Sequence, residues 1–160
     1  MESVRHCPSH DDTERAGEEF AALLKPGDVV ILTGPLGAGK TTFVKGLARG
    51  LGVVERVVSP TFTMVREYET PARDDLRRLH HADVYRTSGR GEILDLDLHE
   101  WREDAAVVVV EWGEMAEDLF GEVSFVVTIH PDRDSEARDL TVEGPAALDR
   151  SVDLERWEAS

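Results

Sequence analysis

Asparagine and glutamine are absent from all 160 residues. Their absence excludes any mechanism that needs an Asn metal ligand, a Gln to orient water or an Asn-Lys-x-Asp guanine reader. Cysteine occurs once, as Cys7, so no internal disulfide can form, which is expected of a protein working in a reducing cytoplasm. No apolar run reaches eight residues, so neither a membrane span nor a signal-peptide core is expected. Lysine is scarce as well: Lys25, Lys40 and Lys45 stand against fifteen arginines. A lysine at a chemically special place is therefore not incidental.

What is present supports a folded chain. Leu, Ile, Val and Phe make up 42 residues, enough for the core of one domain spanning residues 1–160. The net charge of −15 is unevenly spread, because the last seventy residues hold 20 acidic side chains against 5 basic ones. No basic stripe for tight nucleic-acid binding is visible. The acidic half reads either as a solvated face or as a docking surface for a basic protein partner.

Strand, helix and strand signals alternate along the chain and then turn strand-rich, which predicts an α/β fold with a mixed sheet. Ser3–His6 is a possible first strand. Ser9 and Asp11 offer helix caps before Ala16, Phe20, Leu23 and Leu24, which share one helical face up to the Pro26-Gly27-Asp28 turn. Val29–Thr33 has the pattern of a strand buried on both faces. Further strands are expected over Thr61–Glu69, Leu79–Arg86, Ala105–Trp112, Val123–His130 and Arg138–Glu143, the last two paired. Helices are expected over Lys40–Leu51, Glu92–Trp101 and Gly113–Phe120, and the tail from Pro145 has no assignable structure.

Gly34-Pro35-Leu36-Gly37-Ala38-Gly39-Lys40-Thr41 satisfies G-x-x-x-x-G-K-[ST], between a buried strand and an amphipathic helix. Glycines let the backbone curl until successive N–H groups face a phosphate, and the helix start adds partial positive charge there. Lys40 can reach the β- and γ-phosphates, and the Thr41 hydroxyl can complete a magnesium shell. A mere flexible turn would not call for Lys then Thr at the helix start. The ligands implied are a nucleoside triphosphate and Mg²⁺.

Such a loop needs a carboxylate at the end of a neighbouring strand. Val107-Val108-Val109-Val110-Glu111 ends an apolar strand in an acid, and Asp83 ends another. One assignment gives Glu111 to the metal and Asp83 to the attacking water; the reverse is also open. Trp112 either stacks on the nucleobase or belongs to the core, and strand alternation sends it to the face opposite Glu111. Ser59-Pro60-Thr61 is either a segment that senses the γ-phosphate, through Ser59 and Thr61, or an ordinary turn. His6-Cys7-Pro8-Ser9-His10 lacks the second matching pair that a zinc site would need.

In this order the pieces resemble the bacterial TsaE (YjeE) family of small P-loop ATPases. The resemblance rests on the loop with Thr42-Phe43 after it, on Val58-Ser59-Pro60-Thr61-Phe62-Thr63, on His81-Ala82-Asp83-Val84-Tyr85-Arg86 and on Val109-Val110-Glu111-Trp112. It covers most of residues 9–130. It implies a P-loop NTPase-like sheet flanked by helices, and an ATPase that works with the TsaB and TsaD proteins. Together they install N6-threonylcarbamoyladenosine at adenosine 37 of tRNAs reading ANN codons, so tRNA is met only through the assembly. It further implies Mg²⁺ near Thr41 and Glu111, Trp112 close to the adenine, and the stretch Ser9–Thr13 near the nucleotide, since Thr13 and Gly17 match an early Thr-x-x-x-Gly. No match extends beyond Pro145.

An ATP hydrolase of this kind would be slow alone if a partner supplies the arginine that stabilises phosphoryl transfer, an effect of roughly 10³–10⁵ in rate. Arg86 is the candidate to act in cis, and Lys40, Asp83 and Glu111 are the catalytic candidates. Two other functions fit the loop: a small-molecule kinase, although no Arg-rich lid stands out, and a nucleotide-gated binding module in which turnover is incidental.

Overall fold

Apolar runs without charge make the middle of a single sheet. The computed structural model describes residues 2–35, 37–58, 65–83, 105–111 and 123–160, with Leu148 by its backbone alone. The strands are β1 (Ser3–Cys7), β2 (Val29–Thr33), β3 (Val65–Glu69), β4 (Arg78–Asp83), β5 (Ala106–Glu111), β6 (Phe125–Pro131) and β7 (Arg138–Glu143). The helices are α1 (His10–Phe20), α2 (Lys40–Gly50), α3 (Pro145–Asp149) and α4 (Ser151–Ala159), and a 3₁₀ turn, Ala21–Leu23, follows α1.

The strand order is β1-β7-β6-β2-β5-β4-β3. Strand β2 lies parallel to β5 and β6, and β4 parallel to β5, whereas β1–β7, β6–β7 and β3–β4 pair antiparallel. The mixed sheet expected from sequence is therefore present. Its centre is parallel, and there β5 is buried along its whole length and β2 along all but Thr33. Buried parallel strands read as continuous apolar runs, and that is why Val29–Leu32 and Ala106–Val110 show no polar alternation.

Val30, Leu32, Val107, Val109, Phe125 and Val127 share a core with Phe20 of α1 and with Phe43 and Leu47 of α2. The two helices touch backbone to backbone. A Cβ on Gly46 would lie 1.7 Å from the Glu14 carbonyl oxygen, and one on Gly17 would lie 2.1 Å from that of Phe43. Neighbours advance together along both helices, so α1 and α2 run parallel. Glycine inside a helix loses about 1 kcal/mol relative to alanine, and the close approach is what these glycines make possible. Arg49 on α2 closes the seam outside, bonded to Glu14 and Glu18 of α1.

The sequence reading differs from the structure at several ends. Of the two candidate caps, Ser9 is the one used, and α1 stops at Phe20 rather than continuing as α-helix to Leu24. Strand β6 starts at Phe125, two residues later than expected, and runs to Pro131. The tail from Pro145, unassigned from sequence, forms α3 and α4. Leu154 and Trp157 are its buried side chains in α4, too few apolar positions to give a helical period. Trp157 packs edge-on against Phe20 at 5.7 Å between ring centres, and its Nε1–H donates to the Ala16 carbonyl at 2.8 Å. The expected helices Glu92–Trp101 and Gly113–Phe120, and the ends of the expected strands at residues 61–64, 84–86 and 112, lie outside the described residues. No described helix is long and apolar enough to cross a membrane.

Candidate functional site

The loop between β2 and α2 lies at the carboxyl end of the parallel strands, where open α/β sheets place their ligands. Gly37 and Gly39 hold φ values of 79° and 107°, a region that side chains with a Cβ rarely adopt. Gly39 is the N-cap of α2 and makes no side-chain cap hydrogen bond to the helix start. The cap residue of α2 thus offers its first N–H groups no side-chain acceptor at the positive end of the helix dipole, an arrangement that suits an anion.

Lys40 is buried, and its Nζ donates to the carbonyls of Gly34 at 2.7 Å and Pro35 at 3.0 Å. The ammonium thus sits inside the turn it follows. Thr41 and Thr42 are half-buried in the first turn of α2. Thr13, fully buried on α1, comes to the same place: a Cβ on Gly39 would lie 3.8 Å from its Cγ2. The glycine seam between α1 and α2 is what brings it there.

Glu111 ends β5 and is paired in register with Leu32 of β2, two residues before the loop begins. Neighbouring strands lie about 4.8 Å apart, so Glu111 stands one strand from the loop. Asp83 ends β4 and faces Glu111 in register, one strand further out. Glu111 is buried and Asp83 half-buried. Of the two acids, Glu111 is the one beside the loop.

Two side chains of this site were not anticipated from sequence. His81 of β4 is fully buried, and its Nε2 lies 2.6 Å from Oε2 of Glu111. The sequence shows a histidine two places before Asp83, but the contact depends on the β4–β5 register, which no local pattern gives. Arg138, at the start of β7, donates from Nε to the Ala38 carbonyl at 2.6 Å and so ties the loop to the sheet. That pair is a hundred residues apart and left no local signal.

Among the remaining expected site residues, Gly34, Gly37 and Ala38 lie in the described part of the loop. Leu36, Ser59, Thr61, Arg86 and Trp112 lie outside the described residues. Among those described, no group of three His, Cys, Asp or Glu side chains is placed to hold a metal by itself. His6 and His10 instead pair with Asp139 and Glu136. A single carboxylate and a threonine hydroxyl are hard oxygen donors, a set that fits magnesium, which binds through few protein ligands and takes the rest from phosphates and water.

A buried parallel strand, a glycine loop, an uncapped helix and an acid ending the next strand define a P-loop α/β protein. A family model described as "Threonylcarbamoyl adenosine biosynthesis protein TsaE" matches residues 7–140. The chain belongs to the TsaE family. Among its relatives, the tRNA threonylcarbamoyladenosine biosynthesis protein TsaE of Bacillus subtilis is 41% identical over 131 residues, covering 82% of this chain and 78% of that one. The protein of the same name from Treponema pallidum is 39% identical over 134 residues, covering 84% and 95%. A crystal structure of Bacillus subtilis YdiB superposes with a TM-score of 0.77 at 31% identity, covering 99% of this chain and 95% of that one.

Proposed function

We propose that this chain is a magnesium-dependent ATP hydrolase supporting threonylcarbamoyl modification of adenosine 37 in tRNAs that read ANN codons, acting with TsaB and TsaD in the cytoplasm. The observation that carries the reading is the pairing of Glu111 with Leu32, which sets an acid beside the strand that feeds the phosphate loop. Family membership supports the pathway, and the absent guanine reader favours adenine.

In this reading the backbone of Gly34, Leu36, Gly37, Ala38 and Gly39 surrounds the phosphates, with Thr42 and Thr13 at the edge of the nucleotide. Lys40 exchanges its two carbonyl acceptors for charged oxygens of the β- and γ-phosphates, a stronger class of hydrogen bond. Thr41 and Glu111 would hold the magnesium, which supplies neutralisation of the charge on those phosphates. Asp83 orients the attacking water and takes its proton as the bond between the β–γ bridging oxygen and the γ-phosphorus breaks. Trp112 lies against the adenine, Ser59 and Thr61 respond to the γ-phosphate, and Arg86 serves as the arginine in cis.

Three measurements test this. Reconstituted tRNA modification should require the chain together with TsaB, TsaD and ATP; equal modification without the chain overturns the reading. ATP turnover should rise when the two partners are added, and phosphate should appear without any acceptor, which a small-molecule kinase would not give. Asp83→Asn should keep nucleotide affinity and stop modification, and continued modification would favour a nucleotide-gated module.

A further inference from the structure

Two contacts made by buried carboxylates lie at opposite ends of the central strands, and they are built differently. At the start of β2 both oxygens of Asp28 are used, by Nη1 and Nη2 of Arg150, and Oδ2 also accepts from the Lys25 amide at 2.7 Å. At the other end Glu111 uses one oxygen, Oε2, for His81, and Oε1 has no hydrogen bond among the described residues. The side chains of His81 and Glu111 are 0% and 4% exposed, and Oε1 is not among the described buried polar atoms that lack a partner, so the little exposure Glu111 keeps leaves that oxygen open to a ligand. A saturated pair holds structure together; a carboxylate with one oxygen pinned and the other spare is prepared for a further ligand.

We propose that His81 is a positioning residue for magnesium: its Nε2–H pins Oε2 of Glu111 so that Oε1 is presented in one fixed orientation. The inference rests on the reading above that Glu111 serves the metal. His81 stands opposite Val109, two residues before Glu111, so the contact runs diagonally across the same face of the sheet. Asp83 lies directly opposite Glu111, where a second carboxylate repels the first and would push it out of line. The Nε2–H donor opposes that displacement. Nδ1 of His81 has no hydrogen-bond partner among the described residues. A proton there would be a buried donor without an acceptor and would leave Nε2 facing carboxylate lone pairs, so of the two neutral tautomers only Nε2–H fits the contact.

The experiment follows fluorescent-nucleotide binding during a magnesium titration, beside a metal-free arm in EDTA. His81→Leu should raise the magnesium concentration at half-effect by about 10–100-fold and leave nucleotide affinity in EDTA unchanged. His81→Gln, which keeps an amide N–H near the Nε2 position, should stay within about 3-fold of the parent, well short of the outer-shell loss. His81→Asn carries the same amide on a shorter arm and should behave like the Leu variant, so the proposal stays testable if the Leu variant does not fold. In metal-free protein, long-range ¹H–¹⁵N spectra should show His81 as the Nε2–H tautomer. A parent-like titration for the Leu or Asn variant, a Gln variant as impaired as they are, or an Nδ1–H tautomer overturns the proposal. Glu111→Gln separates the two levels. If it leaves the titration unmoved, the metal role of Glu111 fails; if it shifts the titration and the His81 variants do not, only the role of His81 fails.

Discussion

Helices α1 and α2 are each eleven residues long, run parallel and share a seam, yet their first turns are opposites. The start of α1 is closed by its own side chains: the Asp12 amide donates to Ser9 Oγ at 3.2 Å, and the Ser9 amide donates back to Asp12 Oδ2 at 3.1 Å. The start of α2 has a glycine cap and no acid in its first turn. Both ends carry the same dipole. A helix start whose cap residue brings no side chain keeps that charge available to an anion, and the neighbouring capped helix shows the same backbone with its first amides already used.

The contrast can be broken by closing α2 as α1 is closed. Gly39→Asp places a carboxylate where phosphates would sit, in a conformation that disfavours any Cβ. At about 4 Å and intermediate dielectric, such repulsion amounts to about 4 kcal/mol, so ATP affinity should fall by roughly 10²–10³-fold in equilibrium binding. A second substitution attacks the shared seam. Gly46→Ala forces a methyl onto the Glu14 carbonyl and should lower unfolding free energy in urea by about 1–3 kcal/mol. It should also weaken nucleotide binding, because Thr13 moves with α1.

Opening α1 instead sharpens the contrast. Ser9→Ala should cost about 1 kcal/mol of stability and should change ATP affinity far less than Gly39→Asp does. The smallest effect is in pH. The Ser9 hydroxyl, and then Arg15 nearby, hold the Asp12 carboxyl below its ordinary range. A group depressed in the folded state stabilises above its unfolded pKa and loses that contribution as pH falls through the folded one. Urea midpoints between about pH 6 and about pH 3 should fall less steeply in Ser9→Ala than in the parent.

These helices also show how far the sequence could be read. The start of α2 was legible because the loop motif is local: glycines, Lys40 and Thr41 lie within eight consecutive residues. The acid ending β5 was legible for the same reason, as a valine run with Glu111 at its end. Whether Glu111 or Asp83 stands beside the loop was not, because that depends on strand order, and β5 separates β4 from β2. His81 and Arg138 were missed on similar grounds, each acting on a partner brought near only by sheet register. Gly17, Gly46 and Gly50 stand in helices as unexplained helix-weakening residues until the facing backbone is seen. The C-terminal helices hid behind charge: Leu154 and Trp157 are surrounded by Asp, Glu and Arg, and the Trp157 partners Phe20 and Ala16 lie more than a hundred residues away.

The strand that feeds the loop has one more consequence, in how the molecule is made. Val29–Thr33 finds its neighbours about eighty and ninety-five residues further along, in β5 and β6. On a ribosome adding 5–20 residues per second, this valine-rich segment emerges roughly 4–16 seconds before the first of these neighbours exists. During that interval it is a nascent, unshielded β-former. Heat or slow translation should send incomplete chains toward aggregates through this segment, and holdase chaperones have most to protect there.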